Sequence, residues 1–135
     1  YNYRMTDISA AIGREQLKKL AGFNKRRREI AEMYNSEFSN LVTIPKNRRG
    51  HVFHQYTIRC DKRDDLRNYL LERNINTGIY YPSLLYNYPS MKKYQADCPN
   101  SERLIGEVLS LPVHPALSNS DVFEVISSIK SFFEK

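Results

Sequence analysis

The stretch VFHQYTIRCDKRDDLRNYLLER, residues 52–73, changes its periodicity halfway along, and that change sets the fold class. In the first half Val52, His54, Tyr56 and Ile58 alternate with Phe53, Gln55, Thr57 and Arg59, the period-two pattern of a strand. In the second half Leu66, Tyr69 and Leu70 recur at helical spacing, which predicts a helix from about Lys62 to Arg73 with these residues as its buried stripe. Asp61 is placed to cap that helix and Asp64 to complete a capping box, while Asp64 and Asp65 suit the positive end of the helix dipole. A strand that runs directly into an amphipathic helix points to an α/β domain.

Working outward, residues 6 to about 38 read as one long helix capped by Thr6 or Asp7. Ile8 and Ile12 share one face, as do Ile30, Tyr34 and Phe38 at spacing four. Gly22 and Asn24 interrupt good helix formers and leave a bend or a two-helix break open. Residues 45–50 form a polar loop. Beyond the central stretch, Ile75 to Tyr80 reads as a second strand and Tyr81 to Pro99 as a loop rich in tyrosine and proline. Asn100 or Ser101 opens a short helix through Val108, and Leu109 to Val113 gives a third strand. Pro112 and Pro115 bracket His114 and fix an extended turn. Ser118 caps a last helix to about Phe133, with Asp121 completing its box and Val122, Ile126 and Ile129 facing the core. The order is long helix, strand, helix, strand, short helix, strand, helix, without internal repeat.

The 135 residues fit one domain, with 41% hydrophobic and 27% charged residues, an ordinary globular balance. No stretch approaches the ~20 apolar residues of a membrane-spanning helix, and no signal-peptide pattern is present. The first residue is Tyr1 rather than methionine, which reads as a processed end or the boundary of a longer polypeptide. Cys60 and Cys98 lie far apart and read as two reduced thiols, and His51, His54 and His114 form no metal-ligand pattern. The net charge of +6 has its densest run in Lys25-Arg26-Arg27-Arg28. Four consecutive residues cover a full helical turn, so this run reads as a solvated basic collar rather than a patch facing one partner.

No set of residues here supports catalysis by itself. The GxSxG elbow, the GxGxxG fingerprint and the GxxxxGK[ST] loop are all missing. His54 and His114 read as hydrogen-bonded structural histidines. Tyr80, Tyr81, Tyr86, Tyr88 and Tyr94 crowd into fifteen residues. Their rings suit stacking on a base or sugar, although composition favours a loop anchored by amphipathic rings. Asn2 and Arg4 precede a helix N-terminus, a natural place for phosphate as well as for simple capping.

Several segments, taken in order, resemble the C-terminal part of DegT/StrS-type sugar aminotransferases. They are Tyr1-Asn2-Tyr3-Arg4-Met5-Thr6-Asp7-Ile8 with Ala10-Ala11-Ile12-Gly13, Arg26-Arg27-Arg28-Glu29-Ile30-Ala31, His54-Gln55-Tyr56, Ile79-Tyr80-Tyr81-Pro82, Ser101-Glu102-Arg103, and Val108-Leu109-Ser110-Leu111-Pro112-Val113-His114-Pro115. The resemblance implies the small C-terminal domain of a fold-type I aminotransferase, a long N-terminal helix and further helices on a small, mostly antiparallel sheet. Residues 1–40 would form the long-helix region between domains and residues 41–135 an α/β sandwich. It implies pyridoxal 5′-phosphate as cofactor, with the Schiff-base lysine and its large domain upstream, so no lysine here is assigned a catalytic role.

By the same resemblance Asn2 contacts the cofactor phosphate across a homodimer interface, with Arg4 beside it. Tyr80 and Tyr81 line the substrate pocket, with His54 and Tyr86 as further substrate contacts; many relatives carry a histidine where Tyr86 aligns. The implied substrates are a nucleotide-linked keto sugar and an amino-acid donor, glutamate, in a cytoplasmic enzyme without nucleic-acid or membrane partners. A dehydratase of the same family, in which histidine replaces the Schiff-base lysine, remains the alternative, and a basic nucleic-acid-binding module a more distant one. These residues alone are expected to fold without transaminase activity.

Overall fold

The computed structural model describes residues 1–134. Helix α1 runs without a break over Asp7–Phe38, so neither Gly22 nor Asn24 interrupts it. Thr6 is its cap, with its hydroxyl accepting from Ser9 N at 3.2 Å. Only the far end of α1 enters the core, through Ile30, Ala31, Tyr34 and Phe38. Ile8 and Ile12 share a face as their spacing requires, but they are 75% and 58% exposed. About 35 Å of helix separates Asp7 from Ile30 at a rise of ~1.5 Å per residue.

Strands β1 (Tyr56–Arg59) and β2 (Val108–Leu111) pair antiparallel, with Tyr56 opposite Leu111 and Ile58 opposite Leu109. These four side chains are buried on one face. On the other, the Thr57 and Ser110 hydroxyls meet at 2.8 Å and Arg59 pairs with Glu107 at 2.9 Å. Single antiparallel bridges extend the pair on both sides, Thr43 to Arg59 and Gly78 to Ser110. Helices α2 (Arg63–Leu71), α3 (Pro99–Leu104) and α4 (Asn119–Phe133) complete the order. Helix α4 packs on α1 and α2, and α2 also reaches β2. The core joins Leu66 and Leu70 of α2 with Val122, Val125, Ile126 and Ile129 of α4.

Several sequence expectations are corrected. The strand begins at Tyr56 rather than Val52, because Phe53 takes a left-handed backbone (φ 48) that reverses the alternation. Phe53 is therefore buried while Val52 is exposed, and His54 lies outside the strand. Asp61 does not cap α2: the cap position is Lys62, at φ −94 and ψ 37, with no side-chain cap bond. The Asp64 carboxylate instead lies 2.7 Å from Arg63 Nε, an ion pair without hydrogen-bond alignment. The second strand, expected over residues 75–80, is reduced to the Gly78 bridge. The loop that follows contains two 3₁₀ turns, Leu85–Asn87 and Pro89–Met91. Helix α3 starts at Pro99, whose missing N–H costs nothing in a first turn, and stops at Leu104, because Val108 belongs to the ladder with Arg59. The last strand ends at Leu111, as Pro112 has no N–H to donate. The Ser118–Asp121 capping box on α4 forms as expected.

Candidate functional site

The sequence-predicted site residues fall into two places. Asn2 and Arg4 lie on an exposed, irregular segment ahead of α1, beside the exposed rings of Tyr1 and Tyr3. Neither side chain has a hydrogen-bond or ion-pair partner among the described residues. His54, Tyr80, Tyr81 and Tyr86 lie at the other end of α1, around two adjoining clefts that share Tyr80.

The first cleft encloses about 550 Å³ beneath the tyrosine-rich loop. Tyr80, Tyr81, Tyr86 and Tyr94 line it together with Leu104 and Ile105, giving an apolar, aromatic wall of the kind that accepts flat ligand groups. The Tyr86 hydroxyl donates to Glu102 Oε1 at 2.5 Å, and this bond pushes its pKa up to about 12. The tyrosine is thereby held neutral and oriented by α3. Cys98 also borders this cleft, whereas Cys60 is buried after β1, where burial pushes its thiol pKa up. Neither thiol is in a disulfide.

The second cleft, about 410 Å³, lies on the other side of Tyr80 and is more polar than the first, bordered by Arg27, His54, Gln55, Asn76 and His114. Gly78 makes the partition between the two clefts: a Cβ there would stand 2.8 Å from Tyr80 Cζ and 2.9 Å from its hydroxyl oxygen. Only a residue without a side chain lets the Tyr80 ring fold back over the backbone at this point. The Tyr80–Tyr81 peptide is cis. No described lysine borders either cleft. A third cleft, beside Asn40, Arg59 and Lys62, contains none of the predicted site residues.

Helix α1 grips the turn that carries His114 at both of its ends. Tyr34 donates its hydroxyl proton to the Pro112 carbonyl at 2.8 Å, and Arg26 donates from Nη2 to the Leu117 carbonyl at 2.8 Å. Between them the Ala116 N–H donates to His114 Nδ1 at 3.1 Å. His114 thus has the structural bond expected of it, whereas His54 has no side-chain partner. The basic run is also resolved residue by residue: Lys25 and Arg26 pair with Glu29, Arg28 is exposed, and Arg27 turns toward the polar cleft. Sequence reasoning missed Arg27, Asn76 and Gly78. Their positions depend on which side of α1 the sheet covers, and no local pattern reports that. Among the described residues no group of three potential metal ligands occurs, and no helix is long and apolar enough to cross a membrane.

The family model described as the DegT/DnrJ/EryC1/StrS aminotransferase family matches residues 1–130. GDP-perosamine synthase of Escherichia coli O157:H7 is 36% identical over 140 residues, covering 98% of this chain and 38% of that protein. The dTDP-3-amino-3,6-dideoxy-alpha-D-galactopyranose transaminase of Aneurinibacillus thermoaerophilus is 33% identical over 136 residues, covering 97% and 37%. A solved DegT DnrJ EryC1 StrS aminotransferase from Brucella abortus superposes with a TM-score of 0.92 at 34% identity, covering 98% of this chain and 37% of its own. The chain spans well under half the length of these relatives.

Proposed function

Because this chain belongs to the DegT/DnrJ/EryC1/StrS aminotransferase family, we propose that it serves as the small C-terminal domain of an aminotransferase dependent on pyridoxal 5′-phosphate. The enzyme moves an amino group from an amino-acid donor, glutamate, to a keto sugar carried on a nucleotide. The observation that carries this reading is the family match over residues 1–130. The two named relatives, a GDP-sugar synthase and a dTDP-sugar transaminase, support the substrate class.

The residues of this chain fit the phosphate end of the cofactor. Asn2 supplies an amide N–H and Arg4 a planar guanidinium, both unpartnered and both ahead of a helix N-terminus. When bound, the cofactor supplies the electron sink for amino-group transfer. Asn2 and Arg4 hold its phosphate; Tyr80, Tyr81, Tyr86 and His54 form a wall that orients the sugar nucleotide and excludes water. Since Asn2 stands so far along α1 from Tyr80, one copy's arm serves a site away from its own clefts, which favours a homodimer.

The test is to incubate the full-length protein with pyridoxal 5′-phosphate, glutamate and a nucleotide-linked keto sugar, and to follow 2-oxoglutarate. Sugar-dependent formation of 2-oxoglutarate is expected. Loss of water from the sugar without glutamate consumption would convert the reading to the dehydratase. No cofactor absorbance and no turnover of either kind would reject it.

A further inference from the structure

The polar cleft holds a distinctive set of groups. Arg27, His54, Gln55, Asn76 and His114 border it beside Tyr80, and no aspartate or glutamate does. The Arg27 side chain is half-buried and has neither a hydrogen-bond nor an ion-pair partner. Its neighbours in sequence differ, since Lys25 and Arg26 share Glu29 as a counter-charge. The side chains of His54, Gln55 and Asn76 are likewise without partners.

His114 adds a donor of known orientation. A backbone N–H can only donate, so the bond from Ala116 makes His114 Nδ1 an acceptor and leaves the neutral ring's proton on Nε2. That turn is itself fixed to α1 through Pro112 and Leu117. A guanidinium without a counter-charge, an imidazole N–H and two side-chain amides border about 410 Å³ of space. Such a wall repels cations and offers charge-assisted hydrogen bonds to an anion.

We infer that this cleft is an oxyanion-binding site in which Arg27 makes the principal contact and His54, His114 and Asn76 supply further hydrogen bonds. The site shares His54 and Tyr80 with the substrate wall proposed above, and it rests on that reading only for the origin of the anion. A phosphate of the sugar nucleotide and a carboxylate of the amino-acid donor offer the same chemistry. Tyr80, seated over Gly78, then separates an anionic part of the ligand from an apolar part in the neighbouring cleft.

The test uses the imidazole C–H resonances of His51, His54 and His114, the three histidines of this chain, at constant pH and ionic strength. Inorganic pyrophosphate is titrated in one arm and glutamate in the other. Saturable displacement of His54 and His114 is expected while His51, which does not border this cleft, stays in place. A response to pyrophosphate alone assigns the site to phosphate, to glutamate alone assigns it to carboxylate, and to both makes it a general oxyanion site. Arg27→Gln should weaken the response about tenfold or more, the loss of one charge-assisted contact. Arg28→Gln removes the same charge from the exposed neighbour and should leave the response unchanged. No displacement in either arm, parallel displacement of His51, or equal weakening by both substitutions would overturn the inference. Anion capture by Asn2 and Arg4 would leave the cleft histidines still, and the outcome is independent of whether 2-oxoglutarate forms.

Discussion

Replacing Tyr34 by phenylalanine removes one oxygen from the middle of the core and nothing else. Tyr34 has no exposed surface, its ring stacks on Phe38 at 5.3 Å and meets Tyr56 at 5.0 Å, and its hydroxyl is 2.8 Å from the Pro112 carbonyl. The phenylalanine ring keeps both aromatic contacts and opens no large cavity. The cost is the lost bond together with a carbonyl left without its donor, about 1–2 kcal/mol. With an unfolding entropy of about 2.1 cal/mol/K per residue, that cost lowers Tm by about 4–7 °C for a chain of this length. Circular-dichroism melting measures the shift, and urea unfolding should give a lower midpoint at an unchanged m value. Hydrogen exchange at the Ala116 amide adds a local readout, because that amide donates to His114 within the turn Tyr34 holds. A Tm equal to that of the native protein, with unchanged exchange at Ala116, would refute the claim that α1 fixes this turn.

Burial raises the pKa of Tyr34 and Tyr56 well above the ordinary tyrosine value of 10.0. The unfolded state therefore loses these protons first, so stability is full below pH 10 and falls above it by at most about 1.4 kcal/mol per pH unit per tyrosine, as denaturant titrations across that range would measure. Gly78→Ala should displace the Tyr80 ring, since the new Cβ meets its far end, and weaken sugar-nucleotide binding in calorimetry while Tm moves by less than about 3 °C. A thiol reagent should modify Cys98 in the native protein and reach Cys60 only after unfolding, with mass spectrometry of the labelled peptides as the check.

Much of this architecture is written in local signals. Thr6 and Ser118 each announce a helix start, and Asp121 completes its box, because capping depends on residues three positions apart. Asp61 illustrates the limit of such reasoning. Its spacing is right, but the ladder bond from Cys60 N to the Glu107 carbonyl carries the strand past Arg59 and leaves the turn at Asp61 and Lys62. Phe53 shows a similar limit, since its left-handed backbone goes with a ring packed near Tyr56 and His51, a non-local arrangement that alternation does not report. The tyrosine cluster could be read from the sequence as a candidate site. Arg27 could not, because four adjacent cations spread around a full helical turn and only the assembled sheet and turn decide which one meets the histidines.

The exposed span of α1 has a mechanical consequence. A rod of about 35 Å, held only at its base, converts a rotation of 5° into a displacement of about 3 Å at Asn2. Catalytic geometries lose much of their rate over a misplacement of about 1 Å. For the phosphate contact proposed at Asn2, the packing of Ile30, Tyr34 and Phe38 therefore sets an angular tolerance, although none of them touches it.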